Sequence, residues 1–309
     1  MKRLTLLTVL ILSFLAGPLH AATKDGIVAG VVFSGDLPFY REIHEELVRR
    51  LFEKGYDKKV RFIIQRPNPD ALAWSNAIRK MIAYDASLII VYGSGAARAA
   101  LYESSSVPII YAAVYEPERS GIKGSNIRGV GYRIPVSSII RYLRKTGDIK
   151  KIGVLYSDAE PSTKTQYDDV KAACESLSID VVKIPIKRPS EIGRRLRLMS
   201  YDSLLLTSSA LINKYFPDYI LVFRKKPVPL AAIITGLEEY SVITLSTDPR
   251  KQGDILARNL IQFINNGDIS GIENTELLKN SLTFNMRLAI DLGLDIPVEL
   301  LTESDRVIK

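Results

Sequence analysis

The chain has 309 residues, 47% of them apolar and 25% charged, with a formal net charge of +8, which is ordinary for a globular protein with one large or two medium cores. A single cysteine, Cys174, excludes an intramolecular disulfide. The basic residues are scattered and not interleaved with aromatics, so the excess charge reads as a solvated surface and not as a nucleic-acid interface.

Lys2 and Arg3 precede an uncharged apolar and hydroxyl run over residues 4–16. Gly17 and Pro18 break it, and Leu19-His20-Ala21-Ala22 supplies small residues for a cut. Basic, apolar, breaker, small residue is the order of a secretory signal peptide, assigned to residues 1–22. The run is shorter than the roughly 20 residues a spanning helix needs; the alternative is an uncleaved anchor. No cysteine stands near the cut, so lipid attachment is not expected. The expected mature protein is soluble and exported to the periplasm.

Short β-branched runs then alternate with longer amphipathic ones. Residues 28–33 read as a buried strand, and residues 40–54 as a helix with Ile43, Leu47, Val48 and Leu51 on one face, stopped by Gly55. A strand at 60–64 and a helix capped by Asp70 and running to about 84 follow. A strand at 88–92, a helix at 95–103 and a strand at 108–113 complete the first set. Residues 120–135 are rich in glycine and polar residues and have no helical period, after which the alternation resumes. Helices are expected at 137–145, 163–177, 190–199 and 211–223, with strands at 152–156, 181–184, 203–206 and 228–233. The tail adds a strand at 242–245, a helix at 250–264 before Gly267, a strand at 281–284 and a short helix at 287–292.

β-α-β-α alternation implies parallel sheets with helices on both faces. The mid-chain pause favours two α/β lobes over one large doubly wound sheet. The tail has too few elements for its own core and must complete both lobes. The expected division is 23–130 with 240–279 in an N-terminal lobe, and 131–239 with 280–309 in a C-terminal lobe. Crossings at 128–134, 234–240 and 280–284 would form a hinge that closes on a ligand.

Ligands of open parallel sheets bind outside the carboxyl ends of the strands. There the first lobe presents Ser34, the Gly93-Ser94-Gly95 turn, Tyr115 and Glu116; the second presents Ser157, Ser208 and Thr235. Small hydroxyl residues and glycines leave room for a ligand and expose backbone N–H groups. Ser94 and Gly95 open a helix and so suit a carboxylate or phosphate, or else form an ordinary cap. Glu116 reads as the partner of a ligand ammonium or as a solvated loop carboxylate. Arg128 pairs a ligand carboxylate or ties the hinge. Tyr115 and Tyr132 stack on a flat ligand or pack between the lobes.

Catalysis finds little support. His44 lies among Glu42, Glu45 and Glu46 and reads as a solvated surface histidine; Cys174 reads as core. One histidine and one cysteine in the mature chain do not make a zinc site, and there is neither a nucleophile elbow nor a phosphate-binding loop. No metal and no cofactor are expected.

The tail Phe284-Asn285-Met286-Arg287-Leu288-Ala289-Ile290-Asp291-Leu292-Gly293-Leu294-Asp295-Ile296-Pro297, with Leu300-Leu301 and Asp305 before Val307-Ile308, resembles the substrate-binding proteins of ABC importers, in the branch that includes aromatic amino acid binders. Gly253, in a helix after a Ser/Thr-rich strand end, and Asn126-Ile127-Arg128-Gly129, similar to that family's Asn-Val-Thr-Gly turn, extend the resemblance over the mature chain. Arg128 stands where the family has Thr, and Glu116-Pro117 where it has Asp-Pro. The resemblance implies a type I periplasmic-binding-protein fold: two Rossmann-like α/β lobes with parallel sheets joined by a multi-strand hinge. It implies a monomer that holds a small, amino-acid-like ligand in the cleft and hands it to an inner-membrane ABC permease. The alternative is an exported sensor that presents its ligand to a membrane receptor kinase. Neither reading is an enzyme.

Overall fold

The computed structural model describes residues 26–104, 106–226 and 228–309; the expected signal peptide lies outside them. In chain order the first lobe is built from β1 (Ile27–Phe33), α1 (Pro38–Glu53), β2 (Val60–Gln65), α2 (Ala71–Ala83), β3 (Leu88–Tyr92), α3 (Ser94–Glu103), β4 (Ile109–Tyr115) and β5 (Ile127–Tyr132). The second takes α4 (Val136–Thr146), β6 (Lys151–Tyr156), α5 (Pro161–Glu175), β7 (Asp180–Pro185), α6 (Glu191–Leu198), β8 (Ser203–Leu206), α7 (Ala210–Tyr215), α8 (Ile220–Phe223), β9 (Leu230–Ala232) and β10 (Ile243–Thr247). Then come α9 (Pro249–Asn266), β11 (Thr275–Leu277), β12 (Asn280–Asn285), α10 (Met286–Asp291), α11 (Val298–Thr302) and β13 (Arg306–Ile308).

Two sheets result, ordered β11-β5-β4-β3-β1-β2 and β13-β12-β10-β9-β8-β6-β7. The first is parallel throughout. The second departs from the expected all-parallel pattern at one place, where β12 runs antiparallel to β10. Helices cover both faces of each sheet, so central strands such as β3 and β4 are buried along their whole length and read as unbroken apolar runs. Apolar clusters fill both faces: Ile43, Leu47, Leu256 and Leu260 behind the first sheet, Trp74, Ile78 and Met81 before it, and Val170 and Ile192 on opposite sides of the second. No helix of the described residues is long and apolar enough to cross a membrane.

The chain passes between lobes three times: at 133–135 after β5, at Asp248 between β10 and α9, and at 278–279 between β11 and β12. Asp248 makes its crossing abrupt. It caps α9, its carboxylate accepting the Arg250 N–H at 2.9 Å, with Pro249 at the first helical position. The β10 strand pairs with β9 and β12, so the second lobe runs on to residue 247 and not to 239.

Most of the crossing expected at 128–134 is instead strand β5 of the first sheet. Its glycines hid it: a Cβ at Gly129 would lie 2.1 Å from the Tyr111 carbonyl oxygen, and one at Gly131 would lie 2.4 Å from Pro117 Cγ. Close backbone approach demands glycine there, which removes the β-branched signature. The helix expected over 211–223 is broken into α7, a 3₁₀ turn at Phe216–Tyr219 and α8. Pro217 cannot donate the bond a continuous helix needs.

Candidate functional site

The carboxyl ends of the two sheets face one another, and the lobes meet there. The Ser162 N–H donates to Ser94 Oγ at 3.2 Å, while the Tyr115 N–H donates to Ser162 Oγ at 3.1 Å. Arg98 reaches the Ala159 carbonyl at 2.7 Å, and Lys214 reaches Asn68 Oδ1 at 3.0 Å. A Cβ at Gly35 would lie 3.2 Å from the Ala210 Cβ.

On the first-lobe side, Ser34 Oγ accepts the Ala96 N–H at 2.9 Å and so takes one free donor of α3. Gly93, at φ +85°, brings the turn so close to Tyr40 that a Cβ would lie 2.5 Å from its hydroxyl. Gly95 faces away from the cleft, because a Cβ there would lie 2.5 Å from the Trp74 ring. Ser94 is the part of this turn that reaches the other lobe.

Tyr132, fully buried at the end of β5, packs edge-on against Phe39 and Tyr115, with centroids 6.2 and 5.6 Å apart. Burial raises its hydroxyl pKa, and Ser208 and Gln166 are its neighbours. That hydroxyl has no hydrogen-bond partner among the described residues. The same holds for Ser157 Oγ after β6, Thr235 Oγ1 after β9, Thr247 Oγ1 at the end of β10 and Gln252 Nε2 in the first turn of α9. Buried polar atoms ordinarily find partners, because leaving one unpaired costs roughly 1–3 kcal/mol. Several stand here where two parallel sheets meet, the place where such sheets hold ligands.

The second-lobe side is braced by its own network. Gln166 ties Ser208 in both directions: Ser208 N–H to Oε1 at 2.9 Å, and Nε2 to Ser208 Oγ at 2.9 Å. Glu160 is fully buried at the α7 N-terminus, taking the Ala210 N–H at 2.7 Å, the Leu211 N–H at 3.3 Å and the Ser209 hydroxyl. Burial pushes its carboxyl up to about 7, against those hydrogen bonds and the Arg98 charge. The protein's own carboxyl group therefore fills the place at the α7 N-terminus where an external anion would sit.

Several expected site residues lie elsewhere or are already engaged. Arg128 is at the start of β5, the far end from Tyr132, where its guanidinium holds the Gly124 and Ile127 carbonyls at 2.8 and 2.7 Å. Glu116 is buried and pairs with Arg119 and, at 2.9 Å, with Arg133; its charge is answered by the protein. Tyr115 turns its hydroxyl to Asp169 at 2.6 Å and not to a stacking position. His44, expected on the surface, is buried with Nδ1 2.9 Å from the Tyr92 hydroxyl. Glu160, Ser162, Gln166, Thr247 and Gln252 were not singled out from sequence. Pro161 at the first helical position is the available signal for a cap at Glu160, although the helix is expected only from 163; nothing comparable marks the two glutamines.

Two α/β lobes, three crossings and polar contacts between facing strand ends define a type I periplasmic-binding fold. A family described as ABC transporter substrate binding protein matches residues 37–308, and the chain belongs to it. That is a family of solute binders and not of enzymes. The chain is 22% identical over 250 residues to a tyrosine-binding protein of Clostridioides difficile, covering 77% of this chain and 72% of that one. It superposes with TM-score 0.87 on an ABC domain in complex with L-Trp from Streptococcus pneumonia, at 21% identity over 92% of this chain and 100% of that one. Against a ligand-free, open substrate-binding protein with adhesive properties from Clostridium difficile the TM-score is 0.63, at 19% identity over 92% of this chain and 99% of that one.

Proposed function

We propose that this protein is exported, captures an amino acid between its lobes and presents it to an ABC permease. The observation that carries the ligand site is the set of buried, unpartnered polar atoms on Tyr132, Ser157, Thr235, Thr247 and Gln252 around the interlobe cleft. They offer donors and acceptors to a small molecule with polar ends, and Phe39 and Tyr40 beside them offer apolar surface to its body. Relatives that bind tyrosine or are complexed with L-Trp favour an amino acid with a ring. Ser34, Ser94 and Ser208 shape the walls of this site. Residues 26–132 with 249–277 and residues 136–247 with 280–309 move as two rigid bodies on the three crossings. The higher TM-score with the L-Trp complex than with the open protein supports reading the present arrangement as the closed one.

Export follows from the leader at residues 1–22, and cleavage falls after Ala21 or Ala22. A thermal-shift screen with the amino acids, their decarboxylated amines and their deaminated acids tests the ligand class. Aromatic amino acids should stabilise the protein with concentration, by about 2.7 kcal/mol at a hundredfold excess over Kd. Binding of sugars or phosphates in place of every amino acid would overturn the reading.

A further inference from the structure

We propose that Asp169 is an interlobe charge latch that sets how much of the ligand-free protein is closed, and thereby tunes affinity without touching the ligand. Asp169 stands on α5 of the second lobe. Its Oδ2 accepts the Tyr115 hydroxyl at 2.6 Å, and its Oδ1 receives Arg119 Nη2 at 2.6 Å; both partners belong to the end of β4 and the turn beyond it, in the first lobe. Arg119 also pairs with Glu116, which Arg133 holds at 2.9 Å, and Arg133 reaches Glu276 on β11 at 3.0 Å. A chain of alternating charge thus runs from α5 through the turn after β4 to the first crossing and to the strand that feeds the third.

Among the described residues, Arg119–Asp169 is the ion pair that joins an element of one lobe to an element of the other; Arg133 lies in a crossing itself. The other interlobe hydrogen bonds either join neutral groups, as at Ser94–Ser162, or set a cation against a neutral acceptor, as at Arg98–Ala159. Opening the lobes must part Asp169 from a guanidinium and a phenol together, and charge-assisted bonds are the stronger kind. None of the latch residues carries an unpartnered buried polar atom of the cleft. The ligand-bound closed form gains the same contacts, so weakening them raises the apparent Kd by depleting the competent state. Asp169 is one-fifth exposed and Arg119 half exposed, so salt screens the pair.

The proposal rests on the reading of two lobes that close, but its test uses no ligand, so a failed ligand screen leaves it intact. Spin labels go on Leu72 and Leu221, both exposed and on opposite lobes, in a Cys174→Ala background. Without ligand, the distance distribution should contain a short population that shrinks in high NaCl. Asp169→Asn should lower the closed-to-open ratio about two- to fivefold, the range expected for a partly exposed ion pair. The same variant should abolish the salt dependence at an unchanged Tm. Tyr115→Phe should give a partial loss, and Asp169→Glu should restore the ratio. A wild type with no short population, or one that Asp169→Asn leaves unchanged, overturns the proposal.

Discussion

Gln252 Oε1 accepts the Ala113 N–H at 2.8 Å, at the residue where β4 adopts φ +61° and slips its pairing with β5 between Tyr111 and Val114. The bulge leaves that N–H without a strand partner, and an amide from α9 supplies one. Gln252→Leu keeps the bulk and orphans a buried donor. Urea unfolding should show a loss of about 1–3 kcal/mol. A loss inside experimental error would mean the bulge holds without the amide.

Gly93 carries two constraints at once. Its φ of +85° disfavours any side chain, and a Cβ would meet the Tyr40 hydroxyl at 2.5 Å and Ser34 Oγ at 2.8 Å. Gly93→Ala should cost about 1–2 kcal/mol from the backbone alone and roughly 1 more as Ser34 is pushed off the Ala96 N–H. Crystallography of the variant should show Ser34 displaced. Calorimetry that finds its Tm equal to wild type would contradict this account.

Much of this fold was readable from the pattern of apolar runs, because strands buried on both faces and helices buried on one have unmistakable periods. The strand at 127–132 was not, since Gly129 and Gly131 serve backbone approach and erase the period. At the site, Ser94 follows from its place after a strand end, whereas Tyr132 follows from the crossing expected at 128–134 and stands in fact at the end of a strand. Glu116 does not stay available, because Arg119 and Arg133, three and 17 residues on, converge on it only in three dimensions. His44 sits among acids along the chain, yet the helix turns it inward beneath Phe33, Phe62 and Tyr92. Glu160 and Gln252 meet their partners across about 50 and 139 residues of sequence, beyond any local signal.

Tyr132→Phe should separate folding from binding. The hydroxyl is buried and unpartnered, so its removal should leave stability unchanged or slightly raised. Ligand affinity should fall about tenfold, the worth of one hydrogen bond to a small molecule. Glu116→Gln should do the reverse, since it removes a buried charge that Arg119 and Arg133 share, leaving them only Asp169 and Glu276, and removes no cleft contact. Titration calorimetry beside thermal unfolding reads both. A Glu116→Gln variant with intact stability and lost affinity would restore that residue to the binding site.

Two buried groups should give opposing pH dependences that largely cancel. Burial and the Arg66 charge lower the His44 pKa from 6.5 to about 4. As pH falls from 6.5 to 4 the unfolded chain takes up a proton that the folded one refuses, so stability drops, by about 3 kcal/mol at the end. Burial raises Glu160 from 4.5 to about 7. As pH rises from 4.5 to 7 the unfolded chain releases a proton that the folded one retains, so stability again drops, by a similar amount. Between pH 4.5 and 6.5 the slopes are opposite and each approaches 1.4 kcal/mol per unit in size. His44→Gln should therefore make stability fall more steeply with rising pH than in wild type. Glu160→Gln should make it rise more steeply, and the double variant should run parallel to wild type. Other carboxylates, such as Glu103 and Asp268, contribute equally to all four chains and drop out of the differences. Urea midpoints at pH 4.5, 5.5 and 6.5 supply the slopes. Single variants that both parallel wild type would show that neither group titrates differently in the folded protein.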